Sequence, residues 1–532
     1  MRYMKMFNSR ALLWAAFSCA TMTTSSAQQP SLVTLDPSHM SKLGTVDPRY
    51  VSYNIEMVEV TGGRFWKPYK SIVAAKPETA SNSQQDMNQQ VGDSTSLFQY
   101  RPPIDLSNPR LRKLAEALGP AYVRVSGTWA NSTYFQDNNG VVLKAPPKGF
   151  RGVLTRAEWK GVVDFAQAVN AKIVTSVAVS AGTRNAEGTW TPNQATALFG
   201  YTKKLGSNIA AAEFMNEPSF PSLGGAPPGY DAKAFAKDAK LFQMFLRNES
   251  PQTIFLGPGG TGEGVSLAPA VRKMTLLRAD DILSATGPIF DVFSYHFYGA
   301  VSRRCMGGTT APDALKSEWL DRTDVAEKFY ADMRDRFMPG KPMWLTETGE
   351  AACGGDQLAS EFVDMFRYLN QLGALAQKGV RVIIHNTLAS SDYGLLDEDT
   401  LQPRPDYWAA LLWKRTMGPI VLDPGRIENH HLRIYAQCLR GSKGGVSLLA
   451  LNTSTTDRQT IAISATGKRY TLMASRLTSL NVLLNGTELR AAPDGSLPRI
   501  QGQHISTRTL HLEPLSITFL TIPAAKNEIC MQ

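Results

Sequence analysis

Between residues 48 and 415 the chain repeats one pattern. A short run rich in β-branched and aromatic residues is followed by a longer stretch whose apolar residues recur at a spacing near 3.6. The short runs are "YVSYNIEM", "AYVRVSG", "AKIVTSVAVS", "AAEF", "TIFLG", "DVFSYHFY", "KPMWLTE" and "VRVIIHN". Helical segments such as "NPRLRKLAEAL", "RAEWKGVVDFAQAVN" and "LASEFVDMFRYLNQLGALAQKG" lie between them. Strands joined by crossover helices lie parallel, and eight of them close into a (β/α)8 barrel. The competing arrangement is an open doubly wound sheet, which calls for a glycine-rich phosphate loop after its first strand. No such loop follows "YVSYNIEM".

After Gly418 the helical periodicity stops. "HLRIYAQCL", "GVSLLALNTS", "TIAISA", "YTLMAS", "VLLNGTEL" and "LSITFLTI" are short β-runs divided by Gly, Asn, Asp and Pro, the pattern of a β-sandwich. "SLVTLDPS" near the other end of the chain adds a strand to it. The expected division is an N-terminal strand at 28–47 joining the sandwich, a barrel at 48–415 and a sandwich domain at 416–532. Residues 67–105, polar and rich in Ser, Gln and Pro, form a loop after the first strand that is long for its place. A lid or a disordered insert would account for it.

Residues 1–27 read as a secretory signal: basic Arg2, Lys5 and Arg10, the apolar run "ALLWAAFSCA", and a small-residue site at Ser25-Ser26-Ala27. The apolar run is too short to span a bilayer, and no other run approaches that length. A soluble, secreted or periplasmic monomer without stable membrane insertion is expected. Without Cys19 of the leader, four cysteines remain: Cys305, Cys353, Cys438 and Cys530. An even count in an oxidising compartment favours two disulfides, for which three pairings exist. The seven histidines are scattered, and no spacing suggests a metal or a cofactor. Removing the three basic leader residues lowers the formal charge from +10 to +7, with no dense Lys/Arg block of the kind that grips nucleic acid. A basic exported protein suits an acidic polysaccharide.

In a barrel of this kind, functional groups sit at the C-terminal ends of the strands. "AAEFMNEPSF" sets Asn216 and Glu217 just past the fourth run and stops with Pro218, and the seventh run ends at Glu347. Two carboxylates on strands four and seven face one opening, as a retaining glycosidase requires. One protonates the leaving oxygen and the other attacks the anomeric carbon. Asn216 is placed to hydrogen-bond the sugar 2-OH. Glu350, expected in the loop after the seventh strand, is the only nearby rival.

The motifs "NEP" at 216–218, "SYHFY" at 294–298, "WLTET" at 344–348, "CGG" at 353–355 and "SDYGLLDE" at 391–398 resemble glycoside hydrolase family 79, the heparanase family. "RPDYWAALLWKRTMG" at 404–418 and the segments from "LRIYAQCLR" to "NEIC" share the resemblance. It implies a (β/α)8 barrel with a β-sandwich and retaining hydrolysis of β-linked glucuronic acid, in glycosaminoglycans or other glucuronides. By motif position it makes Glu217 the acid/base and Glu347 the nucleophile. It places Glu56, Thr128, Asn216, His296 and Tyr298 in the pocket, with Cys353, Gly354, Gly355 and Tyr393 around the uronic carboxylate. It also implies a Cys438–Cys530 disulfide, leaving Cys305–Cys353 as the second pair. The excised linker of animal heparanase is missing between Asn131 and Arg156, so a proteolytically activated two-chain form is not expected. The alternatives are a related enzyme acting on neutral xylosides or arabinofuranosides, and a non-catalytic carbohydrate-binding protein. The first would not need the uronate loop and Tyr393, and the second would show loss of a carboxylate.

Overall fold

The computed structural model describes residues 32–70, 97–265, 276–505 and 508–531. The expected leader and residues 71–96 of the long loop lie outside them. All eight expected runs form strands: β1 Val51–Glu56, β2 Ala121–Ser126, β3 Ala171–Ser176, β4 Ile209–Glu213, β5 Ile254–Gly260, β6 Val292–Val301, β7 Met343–Ala352 and β8 Val380–His385. They pair in parallel into a closed barrel, β8 returning to β1. The connecting helices start where local chemistry tells them to. Asn108 accepts from the Arg110 and Leu111 amides ahead of Pro109, and Thr155 with Glu158 forms a reciprocal capping box.

Strand alternation separates the two faces of the barrel wall. Val123, Ile173, Phe255, Phe293, Leu345 and Ile383 pack outward in the main core with the helices. Tyr122, Val174, Ala211, Leu256, Val292, Trp344, Val382 and Ile384 form a separate inner cluster, with residues from seven of the eight strands. The same alternation carries Asn54, Glu56, Arg124, Glu213 and His296 inward one or two steps further along their strands.

Outside the barrel and two short two-stranded pairings in its loops, the described chain forms two further sheets. A nine-stranded sheet runs in the order Lys42–Thr45, Met417–Leu422, Leu432–Leu439, Val446–Asn452, Ser516–Ile522, Gly467–Met473, Leu483–Leu484 and Thr487–Glu488, with Gln503–Ile505 beside Gly467–Met473. Val33–Leu35 pairs with Gln459–Ile463, which pairs with Thr509–Leu512. Ile434, Ala436, Leu448, Ala450, Leu520 and Ile522 face this second sheet, while Tyr435, Leu449, Leu451, Ile517 and Phe519 join the barrel core. Both faces of the large sheet are therefore buried, which is why its central strands read as apolar without a gap. Tyr435 packs flat on Gly373 of the helix Asp364–Gln377, where a Cβ would stand 2.2 Å from the ring, and its hydroxyl reaches Asn370 at 2.7 Å.

Both disulfides have the expected pairing, Cys305–Cys353 and Cys438–Cys530. The second closes a loop of sequence separation 92 across the sandwich. A loop of that size removes much conformational freedom from the unfolded chain, so Cys438→Ala with Cys530→Ala should cost about 2–5 kcal/mol. Urea unfolding of the double variant against the native protein measures it, and a loss below about 1 kcal/mol would contradict the estimate.

Candidate active site

A buried arginine organises the barrel mouth. Arg124 of β2 is fully buried, and its Nη2 and Nε donate to Glu213 Oε2 at 2.6 and 3.0 Å. Its Nη1 donates to Glu347 Oε2 at 2.8 Å, and Nη2 also reaches Asn216 Oδ1 at 2.8 Å. One guanidinium thus fixes the end of β4, the middle of β7 and the turn that carries Glu217. Burial opposes ionisation of Glu213, yet Arg124 and His296 overcome it and hold this carboxyl well below the usual range.

Glu347 sits at an irregularity in β7. The β6–β7 register slips between Tyr295 and His296, so Tyr295 lies opposite Leu345 while His296 lies opposite Glu347. The slip lets two successive β7 side chains serve the interior. Thr346 donates to Glu213 Oε1 at 2.7 Å, and Glu347 Oε1 accepts from the Tyr298 hydroxyl at 2.6 Å. The strand continues to Ala352 rather than ending at Glu347, which places Glu350 inside it and corrects the expectation of a loop position. Glu350 is buried and accepts from the Asp356 amide at 2.9 Å.

Glu217 lies beyond the end of β4, and the turn holding it is pinned. Asn131 donates to the Asn216 carbonyl and accepts from the Asn216 amide, both at 2.9 Å. Glu217 itself takes a left-handed φ of 47°, a conformation seldom adopted without a functional or structural cause. Its side chain is 20% exposed, against 7% for Glu347. His296 stands between the two, with Nδ1 3.2 Å from Glu217 Oε1 and 3.7 Å from Glu347 Oε2. One oxygen of each glutamate and a ring nitrogen of His296 lie within 4.8 Å of one another. That spacing could suit a metal ion, but a ligating histidine must offer a bare nitrogen. Burial alone would depress the His296 pKa, yet Glu347, Glu213 and Glu217 carry it up to about 9. These carboxylates favour the protonated ring, which adds positive charge to the cluster beside Arg124.

The other expected residues surround this core at different removes. Glu56 ends β1 with Oε1 on the Asn386 amide at 3.1 Å, and Asn386 also donates to Tyr298 at 2.9 Å. Its Oε2 is buried without a partner, close against Gly127, so Glu56 meets the pocket through Asn386. Burial, then the charge of Glu347, pushes the Glu56 carboxyl well above its ordinary range. Thr128 opens the short 3-10 turn after β2, beside Trp129. Tyr393 lies with its ring 6.4 Å from that of Tyr298, and burial followed by Glu56 and Glu347 keeps its phenol neutral. Cys353, Gly354 and Gly355 all take positive φ. A Cβ at Gly354 would stand 2.5 Å from Trp66, and one at Gly355 2.9 Å from the Tyr393 nitrogen. The Gly355 amide donates to the Ala351 carbonyl at 3.1 Å, and the Gly354 carbonyl accepts from the Asp392 amide at 3.1 Å.

Arg124, Glu213, Asn131 and Asn386 were not singled out from the sequence. A charge inside an apolar strand, as in "AYVRVSG" and "AAEF", was the available signal, since such residues are rarely buried unless paired.

The His296 geometry sets a pH dependence. Its folded-state pKa lies above the ordinary 6.5, so its stabilising contribution is complete below 6.5 and fades as pH rises through about 9. Urea unfolding should show the native protein losing more stability across that window than His296→Gln. Parallel losses in the two proteins would contradict the assignment.

The chain matches the model of glycosyl hydrolase family 79, N-terminal domain, over residues 93–373. It is 26% identical over 494 residues to heparanase-like protein 1 of Arabidopsis thaliana, covering 80% of this chain and 86% of that one. It is 28% identical over 477 residues to a hyaluronoglucuronidase of Hirudo nipponia, covering 80% and 92%. Its fold matches a solved 4-O-α-L-rhamnosyl-β-D-glucuronidase of Fusarium oxysporum with a TM-score of 0.61 at 13% identity, covering 92% of this chain and all of that one. With more than half of its length matched by the family model, the chain belongs to glycosyl hydrolase family 79 and is a glycoside hydrolase.

Proposed function

We propose that the chain is an exported, retaining β-glucuronidase, acting as a monomer on acidic polysaccharides or smaller glucuronides. The observation that carries the mechanism is the approach of Glu217 and Glu347 oxygens to within 4.8 Å. An inverting enzyme keeps its carboxyl groups roughly 6.5–9.5 Å apart to admit a water, and a retaining one about 5–5.5 Å. Glu347 suits the nucleophile, because Arg124 and Tyr298 hold one oxygen each and orient the carboxylate. Glu217, more exposed and held on one oxygen by His296, suits the acid/base that meets the leaving group. Asn216 has its oxygen committed to Arg124, so its NH2 is the end left to donate to a sugar 2-OH.

The substrate reading rests on the loop at 353–355 and on Tyr393. Loop amides and a neutral phenol can bind a carboxylate without placing another full charge beside Glu347. The names of the relatives above, a heparanase-like protein and a hyaluronoglucuronidase, support it. Export is supported by the leader pattern at 1–27 and by two disulfides, which persist in oxidising compartments.

Two experiments test this. Glu347→Ala should abolish turnover on every substrate. Glu217→Ala should lose most on poor leaving groups, because activated aryl groups need little protonation. Equal losses on both would contradict the acid assignment, and an inverted product anomer the double displacement. For the sugar, an aryl β-glucuronide should outrun the matching glucoside and xyloside by ~100-fold or more, since each charge-assisted contact is worth roughly 1.5–3 kcal/mol. Tyr393→Phe should narrow that gap by slowing the glucuronide alone, and an unchanged preference would sink the pocket assignment.

A further inference from the structure

The loops after β1, β6, β7 and β8 are joined into one wall. The chain after β1 forms a hairpin, Gly63–Trp66 against Phe98–Arg101. Trp66 packs on Phe98 with ring centroids 4.4 Å apart and lies against Gly354. On its other edge, Arg101 pairs with the nearly buried Glu398 at 2.5 Å, and Gln99 reaches the same carboxylate at 3.1 Å. Glu398 in turn accepts from the Ser391 amide at 2.9 Å, so the hairpin is stapled to the loop after β8. Lys70 adds pairs to Asp397 and Asp399 at 2.9 and 2.7 Å.

A second staple comes from the loop after β6. Arg304, buried, donates to Asp392 and to the Lys67 carbonyl and stacks on the Tyr69 ring at 4.3 Å. Tyr69 closes the circuit through Ser302 at 2.8 Å and through its amide on Asp392 at 3.2 Å. The next residue, Cys305, is bonded to Cys353.

The barrel order fixes which side of the pocket this wall closes. In a ring of eight strands β8 stands four places from β4, on the opposite side. Glu217, after β4, faces the leaving oxygen, so the aglycone departs on the β4 side. The far end of the sugar ring, with C6 and O4, then faces β8 and β1, where the wall stands.

We infer that this wall makes the site a blind pocket, so that the protein removes only a terminal, O4-unsubstituted glucuronic acid and does not cut within a chain. The inference rests on the glucuronidase reading above and adds the direction of attack. On a polymer that alternates glucuronic acid with a hexosamine, such a pocket releases one residue and halts.

The full-length protein can be assayed on an aryl β-glucuronide, and on the same glycoside carrying a further sugar at O4. A reducing-end-labelled alternating oligosaccharide with a terminal glucuronic acid completes the set. The expected result is turnover of the plain glycoside, loss of turnover on the extended one, and shortening of the oligosaccharide by a single residue. Comparable turnover of both glycosides, or labelled fragments from internal cleavage, would overturn the blind pocket while leaving the glucuronidase reading intact. Turnover of neither glycoside would instead overturn the glucuronidase reading, and this inference with it. In Trp66→Ala combined with Arg101→Ala, the extended glycoside should gain relative to the plain one. An unchanged ratio would overturn the hairpin as the barrier.

Discussion

One buried guanidinium holds the site together. Arg124 pairs with two carboxylates and an amide oxygen, from β4, β7 and the turn after β4, and it has no contact with solvent. Taking so many charges out of water is costly, and in such clusters the ionic attraction roughly repays the desolvation without adding much stability. What the arrangement supplies is geometry. Glu213 touches nothing outside the protein, yet it neutralises Arg124 and receives Thr346 and Ser294. Arg124 is thereby free to orient Glu347 with one nitrogen while it fixes Asn216 with another. The carboxylate pair above is held from strands through Arg124, His296 and Tyr298, and from the turn after β2 through Asn131, which pins the turn carrying Glu217.

The same economy of charge governs the pocket wall. Arg124 and the His296 imidazolium stand among Glu213, Glu217, Glu347 and Glu56, and Glu56 is pushed toward its neutral form by burial and by Glu347. A uronic carboxylate added to this set needs hydrogen-bond donors more than another ion. In the proposed reading the loop at 353–355 and the phenol of Tyr393 would provide them, and the loop turns tightly through left-handed backbone at Cys353, Gly354 and Gly355. Glycine is required at the last two positions, where Trp66 and the Tyr393 backbone leave no space for a Cβ.

The barrel was legible because each strand is a short apolar run bounded by helical periodicity, and all eight runs appear as strands. The sandwich was legible for the same reason, although Met417–Leu422 and Lys42–Thr45 were not among the expected strands. The first carries Gly418 and Pro419 and the second is largely exposed, so neither shows the alternation that marks a half-buried strand. The place of Glu217 just past the fourth strand was legible from position and motif, whereas Glu347 was picked out by motif on a seventh strand that runs on past it to Ala352. Arg124 and Glu213 were not legible, because a single charge within an apolar run shows neither its partner nor the direction it faces until the barrel closes. The hairpin at 63–66 and 98–101 was hidden for a different reason. Its strands lie far apart in sequence, and pairing across a long insertion leaves no local signal.

Glu350 shows why position along a strand cannot by itself assign a catalytic carboxylate. It follows Glu347 by three residues on the same strand and is no less buried. Its partner is the Asp356 amide, and its electrostatic neighbours are Asp364, Asp356 and Arg367 of the outer layer, not the groups at the barrel mouth. Burial, then the charge of Asp364, pushes its carboxyl up and so disfavours the anion. A group set among the outer layer is not placed to attack an anomeric carbon at the barrel mouth. It can hold the Asp356 amide, and so steady the turn at 353–356 from behind. Two glutamates one strand turn apart therefore divide into a group that meets the pocket and a group that supports its loop. The register slip ahead of Glu347 sends the first inward, and the resumed alternation sends the second out.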